Sequence, residues 1–109
     1  MKELSIIMPA WNEGKVIFNS IKGIEKTLSN PGKTDYEIIV VDNGSSDNTY
    51  SEAMRAAEEN GTIKVIKLEE KGKDLALKRG FDFVSGKMVT LVNLNVRDTQ
   101  AGLKSDTDF

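Results

Sequence analysis

The chain has 109 residues, enough for one domain with its own core and too few for two. Lys and Arg number 15 against 17 Asp and Glu, and a net charge of −2 argues against binding nucleic acid over the whole surface. Cys and His both number 0, which excludes a disulfide framework, a Cys/His zinc site, a thiol nucleophile and an imidazole base. Hydrophobic residues at 39% and charged residues at 29% match a soluble globular chain. No apolar stretch is long enough to span a bilayer, and the run 6–8, cut by Pro9, is too short for a signal-peptide core. A cytoplasmic location is the resulting expectation, in keeping with the lack of cysteine.

In chain order, Leu4-Ser5-Ile6-Ile7-Met8 is short, apolar and followed by Pro9, which predicts a first strand ending there. Ile17, Ser20, Ile21, Ile24 and Leu28 recur at helical spacing, and Asn30-Pro31-Gly32 supplies a stop. Glu37-Ile38-Ile39-Val40-Val41 predicts a second strand. Its near-continuous apolar run is typical of a strand covered on both faces, as in parallel sheets. Asp47 is placed to cap a second helix, with Tyr50, Ala53, Met54 and Ala57 inward and Asn60-Gly61 at its end. Residues 63–68 read as a third strand. Leu75, Leu77, Phe81 and Val84 lie on a third helix that stops near Gly86, and residues 87–92 form a fourth strand. Residues 96–109 are polar and aperiodic, which predicts a tail or arm beyond a domain spanning 1–95.

This β-α-β-α-β-α-β order predicts an α/β fold: a Rossmann-like three-layer α/β/α arrangement around a four-stranded, mainly parallel sheet. In such sheets ligands bind beyond the carboxyl ends of the strands. That rim holds Pro9-Ala10-Trp11-Asn12-Glu13, Asp42-Asn43-Gly44-Ser45-Ser46-Asp47, Lys71-Gly72-Lys73-Asp74 and Asn93-Leu94-Asn95. Asp42 directly follows a buried strand. Gly44 permits a tight turn, and Ser45, Ser46 and Asp47 precede a helix whose free N–H groups suit an anion. Plain turn chemistry with a helix cap explains the same residues. Lys71 and Lys73 oppose the dipole at a helix start, a conflict that a bound phosphate removes, although a solvated loop is the simpler account. Trp11, the lone Trp, suits either stacking on a base or packing over the sheet edge.

Together these segments resemble the donor-binding half of family 2 glycosyltransferases with the GT-A fold. The carriers are residues 4–13, similar to a strand followed by Pro-Ala-Tyr-Asn-Glu, then residues 37–49, similar to Val-Asp-Asp-Gly-Ser-x-Asp-x-Thr. Residues 71–80 add a third, similar to Gly-Lys-Gly-x-Ala-Leu-x-x-Gly. The resemblance implies a site for a nucleotide-diphosphate sugar of UDP or GDP type. Pro9, Trp11 and Glu13 would contact base and ribose, Asp42 would recognise the base, and Lys73 would lie near the phosphates. Ala10, Gly44 and Ser45 complete the implied nucleotide-binding set. The nearest subgroup is the dolichyl- and polyprenyl-phosphate sugar synthases, because residues 97–105 resemble their Asp-Thr-Gln-x-Gly-x-Lys element.

Two features depart from the family pattern. Asn93-Leu94-Asn95 stands where Asp-x-Asp would hold Mg²⁺ or Mn²⁺, so the metal positions Asn93 and Asn95 carry neutral amides. The chain also stops soon after that strand, where the family continues into its acceptor half, as a truncation or internal deletion would leave it. The expected function is therefore donor binding for transfer to a lipid-phosphate or other acceptor, incomplete in this chain alone. The alternatives are a non-catalytic nucleotide-binding remnant and a ligand-free scaffold. An open fourth-strand edge further predicts a homo-oligomer.

Overall fold

A computed structural model describes residues 2–29, 35–69 and 71–92, with the side chains of Ser29 and Lys73 excepted. In chain order the elements are β1 (Leu4–Ala10), α1 (Ile17–Ser29), β2 (Tyr36–Asn43), α2 (Thr49–Glu59), β3 (Ile63–Leu68), α3 (Lys73–Asp82) and β4 (Met88–Leu91). The strands form one sheet in the order β3-β2-β1-β4, and every pairing is parallel. The chain steps outward from β1 to β3 and then returns to β4 on the other side of β1. The gap between β1 and β4 is therefore the switch point of the topology.

Alternation along the strands divides the core into two layers. Ile6, Met8, Ala10, Ile38, Val40 and Ile63 face α1 and α2, where they meet Ile17, Ile21, Ala53 and Ala56. Ile7, Ile39, Val41 and Leu68 face the opposite side and meet Ala76 of α3. This is the expected α/β/α sandwich. Each fully buried Ile contributes roughly 1.5–3 kcal/mol by leaving water, which is why both faces of β1 and β2 are apolar.

The structure corrects two local expectations. β1 does not stop at Pro9 but runs through it to Ala10. Residues two apart in a strand point their backbone polar groups to the same side. Ile7 turns toward β4, since its carbonyl accepts the Val92 N–H at 2.9 Å. Pro9 faces that side too, but among the described residues the β1–β4 pairing reaches Ile7↔Leu91 and its missing N–H breaks no ladder bond there. The other correction concerns α3, which ends at Asp82 and leaves Val84 beyond it, and on which Leu75 and Phe81 are 45% and 51% exposed while Ala76 and Gly80 are buried. This helix lies so close to β1 that a Cβ on Gly80 would stand 2.7 Å from Cγ2 of Ile7. The close approach selects small residues for the inner face and turns the large ones outward.

At the amino end of the sheet, Glu37 sits inside the apolar run of β2 with only 1% exposure. Its Oε2 accepts the Ser5 hydroxyl at 2.6 Å, and the Ser85 N–H and hydroxyl each at 2.8 Å. Lys64 Nζ reaches its Oε1 at 3.2 Å, and the Gly86 N–H donates to Ser5 Oγ at 2.8 Å. The cluster ties the α3–β4 connection to β1 and β2. Burial works against the Glu37 charge, but the Ser5, Ser85 and Lys64 hydrogen bonds outweigh it and lower its pKa from 4.5 to about 2.

Candidate functional site

The carboxyl ends of β1 and β2 carry two loops that clasp each other. Ala10 pairs with Asp42 in the sheet, and beyond that point the strands give way to residues 11–16 and 44–48. Asn12 turns the first loop with a left-handed φ of 52°, a conformation Asn tolerates better than most residues. Gly44 turns the second with φ 72°, where a side chain would be strained.

Hydrogen bonds across the two loops leave little freedom. The Asn12 N–H donates to Ser45 Oγ at 2.8 Å, and Asn12 Oδ1 accepts the Ser46 N–H at 2.8 Å. The Glu13 N–H donates to Thr49 Oγ1 at 2.8 Å, and the Gly14 N–H to Asp47 Oδ2 at 3.0 Å. Asp47 Oδ1 in turn accepts both the N–H and the hydroxyl of Thr49. Desolvation opposes the Asp47 charge, but the Thr49 hydroxyl and the N–H groups of Gly14 and Thr49 hold its carboxyl below the ordinary 3.8. The start of α2 is thus occupied by the protein's own carboxylate.

Asp42 stands at the end of β2 with 0% exposure. Its Oδ1 accepts the Ser45 N–H at 3.2 Å, while its Oδ2 is buried without a hydrogen-bond partner among the described residues. Buried polar atoms are nearly always paired, and leaving one unpaired costs about 1–3 kcal/mol. Asn43, its neighbour, points its Oδ1 to the Gly72 N–H at 2.7 Å and so anchors the residue before α3. Lys71 then lies over Trp11, its Nζ 3.6 Å from the ring centroid. Trp11 leaves β1 and Lys71 leaves β3, so this cation–π contact spans the end of the intervening β2.

The sequence-derived residues are placed as follows. Trp11, Glu13, Asp42, Gly44 and Ser45 meet in the two clasped loops and the strand end beneath them. Pro9 is half-buried on β1, and the Ala10 side chain belongs to the core under α1 and α2. Lys73 opens α3, away from α2, and Asn93 and Asn95 lie outside the described residues. Sequence patterns alone assign Asn12, Asn43 and Thr49 no individual role, and they read Lys71 as a phosphate neighbour or a solvated loop residue, not as a partner of Trp11. Asn12 carries a local signal, as an Asn in a loop able to take a left-handed turn, and Thr49 bonds Asp47 two residues before it, whereas Asn43 and Lys71 act through partners distant in sequence.

Among the described residues no helix is long and apolar enough to cross a membrane. No group of three His, Cys, Asp or Glu able to hold a metal ion occurs among them either.

The family model for glycosyl transferase family 2 matches residues 5–94. An uncharacterized glycosyltransferase of Synechocystis sp. is 33% identical over 97 residues, covering 88% of this chain and 30% of the relative. An undecaprenyl-phosphate 4-deoxy-4-formamido-L-arabinose transferase of Serratia proteamaculans is 32% identical over 103 residues, covering 90% of this chain and 30% of its own length. Among solved structures, a mannosyltransferase from Pyrobaculum calidifontis in complex with GDP-Man and Mn²⁺ superposes with a TM-score of 0.74. It is 26% identical and covers 93% of this chain and 31% of that one. A glucosyl-3-phosphoglycerate synthase from Mycobacterium tuberculosis, with Mn²⁺, UDP and glucosyl-3-phosphoglycerate, gives a TM-score of 0.65 at 28% identity, over 84% of this chain and 33% of that one. The chain spans about 30% of the length of the curated relatives it matches. With the family's model matched over most of its length and the family's fold in place, the chain belongs to glycosyl transferase family 2.

Proposed function

We propose that the clasped loops at the carboxyl ends of β1 and β2 bind the nucleotide of a nucleotide-diphosphate sugar, as the donor side of a glycosyl transfer. The observation that carries this reading is Asp42: a buried carboxylate with one oxygen unpartnered among the described residues, at the strand ends where α/β sheets take their ligands. A base edge bearing N–H groups supplies the donor that Oδ2 lacks. Trp11 offers a ring for stacking, and Pro9, Glu13, Gly44 and Ser45, with the backbone of Ala10, form the surrounding wall. Lys73, at the start of α3, provides charge for the diphosphate. GDP-Man and UDP in the neighbouring structures support a ligand of this class.

The proposed acceptor is a lipid phosphate, a reading supported by the name of the Serratia proteamaculans relative and by residues 97–105. The acceptor side is proposed to be contributed by a region outside the sheet described above, with the domain acting in the cytoplasm. Asn93 and Asn95 offer carbonyl oxygens without negative charge, a donor set that fits a firmly held Mg²⁺ or Mn²⁺ poorly. Base and ring binding do not depend on that cation. We also propose that the domain self-associates through β4, where Met88 is 66% and Val89 37% exposed. A monomer by sedimentation at high concentration would refute this.

The test of the donor site is calorimetric titration with UDP and GDP, each with and without Mn²⁺, on the wild type and Asp42→Ala. The expected result is binding of one nucleotide that needs little or no metal and falls at least tenfold in Asp42→Ala. Absence of binding, or an unchanged affinity in Asp42→Ala, rejects the site.

A further inference from the structure

We infer that Lys71 is a charge gate on the nucleotide site: its ammonium occupies the Trp11 ring until a ligand's phosphates draw it away. This rests on the donor-site reading above and adds to it a residue that selects for charge on the ligand. Two observations at the rim carry it. The Trp11 ring, the surface on which a base would stack, already has the Lys71 ammonium 3.6 Å from its centroid. Asp42, the residue the base would reach, is fully buried in the same state. A base that stacks on Trp11 must therefore displace the ammonium.

The surroundings decide which part moves. Trp11 sits on a loop fixed by the hydrogen bonds of Asn12, Glu13 and Gly14. The backbone after Lys71 is held by Asn43 through the Gly72 N–H. The Lys71 side chain is exposed, and its four-carbon stem lets the ammonium swing while both anchors stay in place. A cation–π contact of this exposed kind contributes about 0.5–1 kcal/mol. An uncharged nucleoside that displaces the ammonium must overcome that contact and offers nothing in return. A nucleoside diphosphate offers phosphate oxygens next to the start of α3, and charge-assisted hydrogen bonds to them are stronger than the cation–π attraction they replace. The gate thus penalises nucleosides and favours diphosphates through one side chain.

Trp11 is the only Trp in the chain, so its emission reports on the ring without a label. The experiment titrates wild type, Lys71→Met and Lys71→Arg with UDP, uridine, GDP and guanosine, following that emission. For the base that binds, Lys71→Met is expected to take the nucleoside about threefold more tightly than the wild type and the diphosphate about tenfold more weakly. Lys71→Arg, which keeps the cation, is expected to retain the wild-type preference. Lys71→Met affinities that are unchanged, or reduced by the same factor for nucleoside and diphosphate, overturn the gate and leave the donor site standing. So does loss of the preference in Lys71→Arg. A wild type that binds none of the four overturns the donor site and the gate with it.

Discussion

Two buried carboxylates stand near opposite ends of β2, five residues apart, and they are treated in opposite ways. Glu37 receives the Ser5 hydroxyl, the N–H and hydroxyl of Ser85, and the Lys64 ammonium. Asp42 receives one backbone N–H at 3.2 Å, and its second oxygen has no partner among the described residues. The strand, the exposure and the chemistry of the group are nearly the same, so the difference lies in what the rest of the fold brings to each end. At the amino end the α3–β4 connection folds back over the sheet and saturates the charge. At the carboxyl end the connecting loops bond to each other and leave Asp42 for something else. One end is saturated by the protein's own donors and the other is the proposed ligand site, and the variants below separate those roles.

The largest expected effect is at Glu37. Glu37→Ala leaves the buried Ser5 hydroxyl without its acceptor, frees both donors of the exposed Ser85 and should destabilise the domain by about 3 kcal/mol, read from denaturant melts. The same group gives the comparison a pH signature. Its folded pKa of about 2 lies below its ordinary 4.5, so its stabilising contribution is complete above pH 4.5 and is lost as pH falls toward 2. Glu37→Gln should flatten that part of the acid-unfolding profile, and an unchanged profile would show that the serines do not hold the charge.

Asp42 should answer in the other currency. Asp42→Ala is expected to leave thermal stability within about 1 kcal/mol of the wild type, because it removes an oxygen that has no partner along with one long hydrogen bond. Nucleotide affinity should fall by about 2 kcal/mol, or roughly thirtyfold. A variant that melts as Glu37→Ala does would erase the contrast between the two ends.

Ser5→Ala comes next, at about 1 kcal/mol, since Ser5 bridges Glu37 and the Gly86 N–H while the Ser85 donors remain. Lys64→Ala should matter least. Its side chain is 48% exposed, and an ion pair with one solvated partner contributes about 0.2–1 kcal/mol. If Lys64→Ala cost as much as Ser5→Ala, Glu37 would be held by charge more than by hydrogen bonds.

The order of elements, the parallel sheet and the loops that leave the carboxyl ends of its strands were legible in the sequence, because each rests on local patterns. Apolar runs mark strands buried on both faces, helical spacing marks the crossovers, and Gly44 and Asp42 mark a turn at a strand end. Glu37 also left a trace, as a charge at the head of an apolar run, but nothing nearby in sequence names its partners. Ser5 and Ser85 are 32 and 48 residues away.

The sequence by itself therefore determined the family, the layer architecture and which loops share a rim. Only the tertiary structure decided that Pro9 could remain inside β1 and that α3 turns Ala76 and Gly80 inward. It also placed Lys71 on Trp11. The physical reason is common to all three: each depends on the distance between segments far apart in the chain. Periodicity and turn chemistry describe what a segment prefers alone, whereas close approach, charge saturation and ring contact exist only once the sheet has brought its strand ends together.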